Sequence, residues 1–280
     1  MITSIIKSSG EQEPFSQVKF TRSLRKAGVQ EPIIAQLLGE LATNNTITST
    51  HELYTYAFNR LKEINRPTAA RYSLKQALYE LGPTGFGFER FVGEIFKEQG
   101  YSILVDQIVQ GVCVDHEVDL IIERSGTRSM VECKFHNRAG TKTDVRDALY
   151  TKARFDDLSA KWSHSSTRPE LACDGVWLVT NTQFTTKAIT YGICAQVHLL
   201  GWNYPHDAGI AFLIDSLHLH PITALTGLSK EEKATLVSHD IFLCRDLVEQ
   251  PDLLEPLSLA YAHRQLILDE CKELCAESKS

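Results

Sequence analysis

Apolar positions recur at helical spacing through most of the first eighty residues. Ile2 to Ile6 reads as a short strand, a turn follows at Ser8-Ser9-Gly10, and Pro14-Phe15 closes what the pattern predicts to be a small hairpin. Helices are predicted at Lys19 to Ala27, Glu31 to Leu41, Ser49 to Ile64 and Pro67 to Leu81. The third is opened by Thr48 or Ser49 as N-cap, with Glu52 as capping-box partner. Gly82-Pro83-Thr84-Gly85 breaks the pattern and reads as a linker or hinge. Beyond it the periodicity becomes mixed. Phe88, Phe91, Val92, Ile95 and Phe96 keep helical spacing, Gly100 ends that helix, and Tyr101 to Val105 reads as a strand. Val118 to Ile122 and Ser129 to Phe135 are two further strands joined by a short turn containing Gly126. A helix from Thr143 to about Trp162, a polar loop to Asp174 and the apolar strand Gly175 to Thr180 make a strand-helix-strand crossover. Such a crossover implies parallel pairing in a sheet covered by helices. A helix at Thr185 to Leu199 and a strand-like Ala211 to Ile214 complete this part. From Pro221 the chain is helical again, with Ser229 as N-cap and Glu232 three residues on.

The pattern predicts an α/β multidomain chain with an α-rich domain over 1–82, a mixed-sheet domain flanked by helices over 86–215 and a small helical segment over 221–280. The length of 280 residues, with 43% hydrophobic and 23% charged, fits about two or three globular domains and excludes wholesale disorder. No apolar run approaches the roughly 18 residues of a membrane helix, and the first residues lack a secretory pattern, so a cytoplasmic protein is expected. Seven cysteines without a Cys-x-x-Cys pair give neither a disulfide framework nor a zinc site, and Cys271 and Cys275 are expected to share a helix face as reduced thiols. The net charge of -6 argues against a general nucleic-acid coat; it divides as +3 over 1–85, -4 over 86–215 and -5 over 216–280. An anion site must therefore be a local patch, and the first segment is the place to look.

Candidate chemistry centres on Asp119 in one strand of the predicted hairpin and Glu132-Cys133-Lys134 in the other. Alternation along a strand puts Glu132 and Lys134 on one face, with Val131, Cys133 and Phe135 on the opposite, apolar one. A hairpin folding back near Gly126 brings Asp119 beside them. Two carboxylates and an ammonium would converge, a costly arrangement that a divalent cation held by Asp119, Glu132 and waters would compensate. Mg²⁺ or Mn²⁺ suits such a site, and Lys134 could orient or deprotonate an attacking water and offset transition-state charge. Glu89 shares the apolar stripe of its helix with Val92 and Phe96, an odd position for an acid serving only solubility, and it would be a third ligand or a water-positioning group.

This arrangement resembles the PD-(D/E)xK nuclease superfamily, and more closely the Mrr-type restriction endonuclease domain. The likeness rests on Gly87-Phe88-Glu89-Arg90-Phe91-Val92, Gly100-Tyr101, His116-Glu117-Val118-Asp119-Leu120 and Val131-Glu132-Cys133-Lys134-Phe135-His136. It implies Asp119 and Glu132 as metal ligands, Lys134 as the catalytic lysine and Glu89 as the helix carboxylate. Asp115-His116-Glu117 replaces the small, glycine-containing run often found before the metal-binding Asp, which puts Asp115 or His116 in position to touch metal or substrate. His136 reads equally as a solvent-facing histidine or a phosphate contact. Arg146, Tyr150 and Arg154, spaced by four, form either a phosphate-gripping row or a solvated helix face.

Residues 1–85 resemble the ATP-cone, a nucleotide-sensing module, on Ile5-Ile6-Lys7-Ser8-Ser9-Gly10, Glu13-Pro14-Phe15, Lys19, Ser23 to Ala27 and Ile47-Thr48-Ser49. A glycine turn presenting backbone amides beside two lysines is a plausible phosphate cradle. The resemblance implies ATP or dATP as a regulatory ligand, with Lys7, Gly10 and Lys19 at its phosphates and Thr48 near base or ribose. No Walker A loop is present, so sensing without hydrolysis is expected. The combined reading is a Mg²⁺-dependent DNA endonuclease of prokaryotic restriction, defence or repair, regulated by adenine nucleotide and acting as a homo-oligomer. The alternatives are a structure-selective nuclease of the junction-resolvase kind and a non-catalytic nucleotide sensor that binds DNA.

Overall fold

A computed structural model describes residues 2–7, 10–43, 46–82, 84–138, 140–162 and 172–276. Ser8 and Ser9 of the expected turn, Pro83 of the expected hinge and most of the polar loop, 163–171, lie outside the described residues. The chain forms two compact units: Met1–Leu78 together with His220–Ser280, and Tyr79–Leu219. The two end segments, which the sequence pattern sets apart, thus share one unit.

The first unit begins with strands β1 (Ser4–Ile6) and β2 (Gln12–Pro14), antiparallel with Ile5 opposite Glu13. Helices α1 (Gln17–Lys26), α2 (Glu31–Thr43) and α3 (Thr50–Ile64) bury Phe20, Leu24, Ile34, Leu37 and Leu61 against one another. The capping box forms as expected: Glu52 N–H donates to Ser49 Oγ at 3.1 Å, and Ser49 N–H to Glu52 Oε2 at 3.1 Å. The single helix expected over Pro67 to Leu81 is two, α4 (Arg66–Tyr72) and α5 (Leu74–Tyr79). Ser73 stands at the break, its hydroxyl donating to Ala70 O at 3.0 Å, a side-chain competition with the helical ladder that periodicity does not register.

In the second unit α6 (Phe86–Glu98) leads through Gly100, in the left-handed region at φ +84°, into β3 (Ser102–Gln110). Strands β4 (Asp115–Arg124) and β5 (Thr127–Lys134) meet at Ser125-Gly126, both with positive φ, as a tight two-residue hairpin requires. After the bridge strand β6 (Lys142–Thr143) come α7 (Val145–Trp162), β7 (Gly175–Thr180), a second bridge strand β8 (Gln183–Phe184), α8 (Thr186–Cys194), β9 (Val197–Leu200) and α9 (Ile210–Ser216). The main sheet runs β3-β4-β5-β7-β9, antiparallel across its first three strands and parallel across its last three.

Two expected elements are corrected here. The helix expected to reach Leu199 stops at Cys194, a turn through Gln196 at φ +56° follows, and Val197–Leu200 is a parallel edge strand on β7. Ala211 to Ile214, expected as a strand, lies within α9. Apolar runs of four residues fit either period, and sheet pairing decides between them.

Gly87 lies where α6 touches the preceding chain, and a Cβ there would sit 2.0 Å from the Leu81 carbonyl oxygen. Gly87→Ala is therefore expected to cost about 2–3 kcal/mol, since backbone must move to admit one methyl. The urea midpoint of this unit reads it, and an unchanged midpoint contradicts the close approach.

The C-terminal part of the first unit comprises α10 (Lys230–Ser238), capped by Ser229 with Glu232, then α11 (Cys244–Glu249) and α12 (Tyr261–Cys275). Thr223 Oγ1 donates to Ala77 O at 2.8 Å and Arg71 Nη2 to Glu273 O at 3.0 Å, joining the two ends of the chain. Glu270, 3% exposed, accepts the Thr226 and Gly227 amides at 2.7 and 3.1 Å, which satisfies a buried carboxylate within the fold. The seven cysteines are free, with Cys271 and Cys275 both on α12. No helix among the described residues is long and apolar enough to cross a membrane.

Candidate active site

The β4–β5 ladder ends at Leu120 opposite Val131. Beyond that point β4 stays paired with β3 down to Asp115, while β5 stays paired with β7 up to Lys134, so the two strands splay apart. Asp119 stands at the first unpaired position, and its Oδ2 accepts the Cys133 amide at 2.6 Å in place of a ladder carbonyl. One position along β5, alternation gives Glu132 and Lys134 the face shared with Met130, and Cys133 the face of Val131. Phe135 follows that second face and packs on Phe88 of α6, ring centroids 5.9 Å apart. That contact, with Gly93 set against Ile103 and Leu120, brings Glu89 in the first turn of α6 to the same splay.

The acids feel one another. Burial first, then the charges of Asp119, Asp106 and Glu117, push the Glu89 carboxyl up to about 7. Burial, followed by Asp119, raises Glu132 to about 7, against the opposing pull of Arg154 and Lys134. Asp119 is also raised, chiefly by burial, with the Cys133 amide and Arg154 opposing. Three carboxylates are thus held close enough to disfavour one another's ionisation. Among the described residues no group of three or more His, Cys, Asp or Glu side chains is gathered tightly enough to ligate a metal ion. The positive charge at the acids belongs instead to Arg154, whose Nη1 donates to Glu132 Oε2. Lys134 Nζ lies 3.2 Å from Asp147 Oδ1 in the first turn of α7, with 45% of its side chain exposed.

The structure distributes the remaining expected residues unevenly. A cleft of about 230 Å³ is lined by Asp115, His116, Glu117, Asp119, Tyr150 and Arg154. The larger cavity, about 560 Å³, is lined by Lys152, Trp177, His198 and Tyr204 among others and by none of these acids, so its size says nothing about this chemistry. His116 Nε2 is 2.8 Å from Asp157 Oδ2, and Asp157 also accepts the Cys113 amide at 2.8 Å, so His116 is committed to a carboxylate that holds its own loop. His116 and the Cys113 amide keep the Asp157 carboxyl well below its usual range. His136 Nε2 lies 3.0 Å from Thr143 Oγ1, and its backbone exchanges two hydrogen bonds with the Asn181 amide.

The row Arg146, Tyr150 and Arg154 does not act as one. Arg146 is 87% exposed and folds onto Asp144 at 2.7 Å, Tyr150 is exposed, and Arg154 is buried. The face of α7 that turns inward carries Ala148, Thr151, Arg154 and Leu158, whereas Leu149 is 46% exposed. Asp157 and Asn181 are found only in the fold, because their partners His116 and His136 lie 41 and 45 residues away, and Asp147, which accepts the Asp144 amide locally at 3.1 Å, meets Lys134 only there.

In the first unit Lys7 and Lys19 converge on Glu13, at 2.8 and 3.3 Å. Gly10 N–H donates to Lys7 O, and the Thr48 hydroxyl to Glu52, so both are engaged within the chain.

A splayed antiparallel hairpin carrying Asp119 and Glu-x-Lys, set in a mixed sheet with flanking helices, defines a restriction-endonuclease-like domain of the PD-(D/E)xK type. Residues 82–201 match the restriction endonuclease family, and residues 220–275 match the AF1548-like C-terminal family. An uncharacterized protein of Archaeoglobus fulgidus is 36% identical over 184 residues, covering 65% of this chain and 99% of that protein. This chain belongs to that AF1548-like family. The crystal structure of AF1548, a protein of unknown function, matches with a TM-score of 0.56 and 33% identity, over 72% of this chain and all of that one. The MspJI restriction endonuclease in complex with a 27-mer oligonucleotide matches at 16% identity and a TM-score of 0.29, over 60% of this chain and 39% of that one.

Proposed function

We propose that this protein is a divalent-metal-dependent DNA endonuclease acting in prokaryotic restriction, defence or repair. The observation that carries the reading is the mutual crowding of Glu89, Asp119 and Glu132 at the splay, with the carboxyls of Glu89 and Glu132 pushed up to about 7. Three crowded carboxyls answered at close range by the single guanidinium of Arg154 fit a cation, and Asp119, Glu132 and Glu89 are the side chains to hold Mg²⁺ or Mn²⁺. When bound, such an ion supplies Lewis-acid stabilisation of a phosphodiester and a more acidic water. Lys134 presents an ammonium on the Glu132 side of β5, exposed enough for a phosphate to reach, and there it orients the attacking water and offsets charge building on the phosphorus oxygens. Asp147 positions that amine. The test is plasmid nicking with Mg²⁺ or Mn²⁺ by the native protein, Lys134→Ala and Asp119→Asn. Equal cutting by all three removes the assigned site, and absence of cutting by the native protein favours a DNA-binding sensor. Linear, nicked and branched substrates separate a general endonuclease from a structure-selective one.

A regulatory adenine nucleotide belongs to the same reading. What supports it is the approach of Lys7 and Lys19 to one carboxylate, Glu13, near Thr48, whose carbonyl accepts the Ile6 amide at 2.9 Å. A triphosphate competing with Glu13 would meet both ammonium groups. ATP or dATP is expected to shift the size-exclusion profile of the native protein and not that of Lys7→Ala/Lys19→Ala; superimposable native profiles with and without nucleotide remove the regulatory part.

A further inference from the structure

Arg154 stands out because its chemistry is only half used. Its side chain is 10% exposed, and it reaches Glu132 Oε2 through Nη1. Nε is buried and has no hydrogen-bond partner among the described residues. A guanidinium that serves only to hold a buried carboxylate tends to engage it with two parallel bonds, and an idle buried donor is costly. Here the fork touches with one prong. The same group lines the cleft with Asp115, His116, Glu117, Asp119 and Tyr150, and the Tyr150 ring lies 5.5 Å from Cζ.

Two physical constraints bear on what Arg154 does. A guanidinium keeps its proton throughout the physiological range, so it can leave Glu132 only by moving. A buried charge also needs a partner at all times. A dication and a guanidinium repel, so they do not share the Glu132 carboxylate comfortably. Once a cation is held by Asp119 and Glu132, Arg154 needs another anion within reach of its helix position. Asp115 and Glu117 line the same cleft, and a nucleic-acid phosphate entering beside the cation competes with them for Arg154 by offering two oxygens to its planar fork.

We propose that Arg154 is an exchangeable counter-ion: it neutralises Glu132 while the site lacks a cation, and moves to a phosphate oxygen of the substrate when a divalent cation takes the carboxylates. This rests on the endonuclease reading above. The arrangement makes cation and nucleic acid bind cooperatively, because each removes the cost of displacing Arg154 that the other would otherwise meet alone.

Calorimetric titration of Mn²⁺ into the full chain without DNA tests the first half. Arg154→Met is expected to bind Mn²⁺ about tenfold more tightly than the native protein, since no resident cation must be displaced, and Arg154→Lys to bind close to native. DNA binding with Ca²⁺, a cation that supports binding but is a poor substitute in hydrolysis, tests the second: Arg154→Met loses about tenfold in affinity with Ca²⁺ and little without it. A wild-type readout guards against a variant that fails to fold. The Arg154 Nε–H resonance, identified by its loss in Arg154→Lys, is expected to shift on adding Mg²⁺ and again on adding a short duplex. Unchanged or weaker Mn²⁺ binding by Arg154→Met, or a resonance indifferent to Mg²⁺, overturns the exchange. If Asp119→Asn abolishes Mn²⁺ binding while Arg154→Met leaves it at the native value, the exchange alone has failed. If the native protein does not bind Mn²⁺ at all, the metal-dependent reading falls with it.

Discussion

Lys134→Ala is expected to nick plasmid DNA about a thousandfold more slowly than the native protein while unfolding at nearly the same temperature. The two halves of that expectation come from different facts. The Lys134 side chain is 45% exposed and pairs with Asp147 at 3.2 Å, a surface-type pairing worth no more than about 1 kcal/mol, so the fold barely notices its loss. The same ammonium stands on the Glu132 side of β5 and is close enough to pull the Glu132 carboxyl downward. Removing a group that stabilises developing charge or aligns the attacking water costs roughly 10²–10⁴ in rate. Asp119→Asn is the matched control for the carboxylates. An amide oxygen can still accept the Cys133 N–H that Asp119 Oδ2 takes at 2.6 Å, so the splay survives while the negative charge is gone. Asp119→Ala would leave that amide unpaired and mix a folding defect into the result. Asp147→Asn is expected to cost less than Lys134→Ala, because it frees the amine without deleting it.

Without divalent cations, the melting temperature of the Tyr79–Leu219 unit is expected to fall as pH rises from about 5 to about 8, and Mg²⁺ is expected to restore it at pH 8 but not at pH 5. Glu89 and Glu132 have folded-state values of about 7, above the 4.5 of an unperturbed glutamate. Between those values the folded state holds more protons than the unfolded chain, so stability declines with rising pH, and the contribution is gone above about 7. Each tenfold difference in proton affinity between the folded and unfolded chain is worth about 1.4 kcal/mol. Because the acids share one another's crowding, the total effect is about 2–3 kcal/mol, or roughly 5–10 °C for a unit of this size. At pH 5 the acids are largely protonated and have little to offer a cation. At pH 8 they are ionised, crowded and only partly answered by Arg154. Glu132→Gln should flatten the curve and shrink the Mg²⁺ effect. Calorimetric melting across pH with EDTA or Mg²⁺ reads this, and a flat profile, or equal Mg²⁺ shifts at pH 5 and pH 8, contradicts the proposed electrostatics.

Much of the central site is legible in the sequence because it is local. Asp119 and Glu132 are 13 residues apart in the chain, on strands joined by Ser125-Gly126, and strand alternation is a covalent property of the backbone that needs no tertiary information. The capping boxes at Ser49 and Ser229 are readable for the same reason, since each closes within three residues. Val197–Leu200 and Ile210–Ser216 depart from the pattern's prediction because short apolar runs satisfy two periodicities. The deciding hydrogen bonds come from β7 in one case and from the helix's own later turns in the other.

Arg154 shows where sequence reading stops. On the helical wheel it sits with Arg146 and Tyr150, yet Arg146 is 87% exposed and Arg154 is buried on Glu132, 22 residues back in the chain. Nothing in the spacing separates the two arginines, because burial depends on where the helix axis lies over the sheet. The joining of Met1–Leu78 with His220–Ser280 has the same origin: the contacts from Thr223 to Ala77 and from Arg71 to Glu273 span 146 and 202 residues. Periodicity, turn chemistry and strand alternation act within a few residues, and they suffice to put an acid and an acid-lysine pair on facing strands. Which charges are buried, which cation answers them and which distant segments pack as one unit depend on through-space energies, and those exist only once the chain has closed on itself.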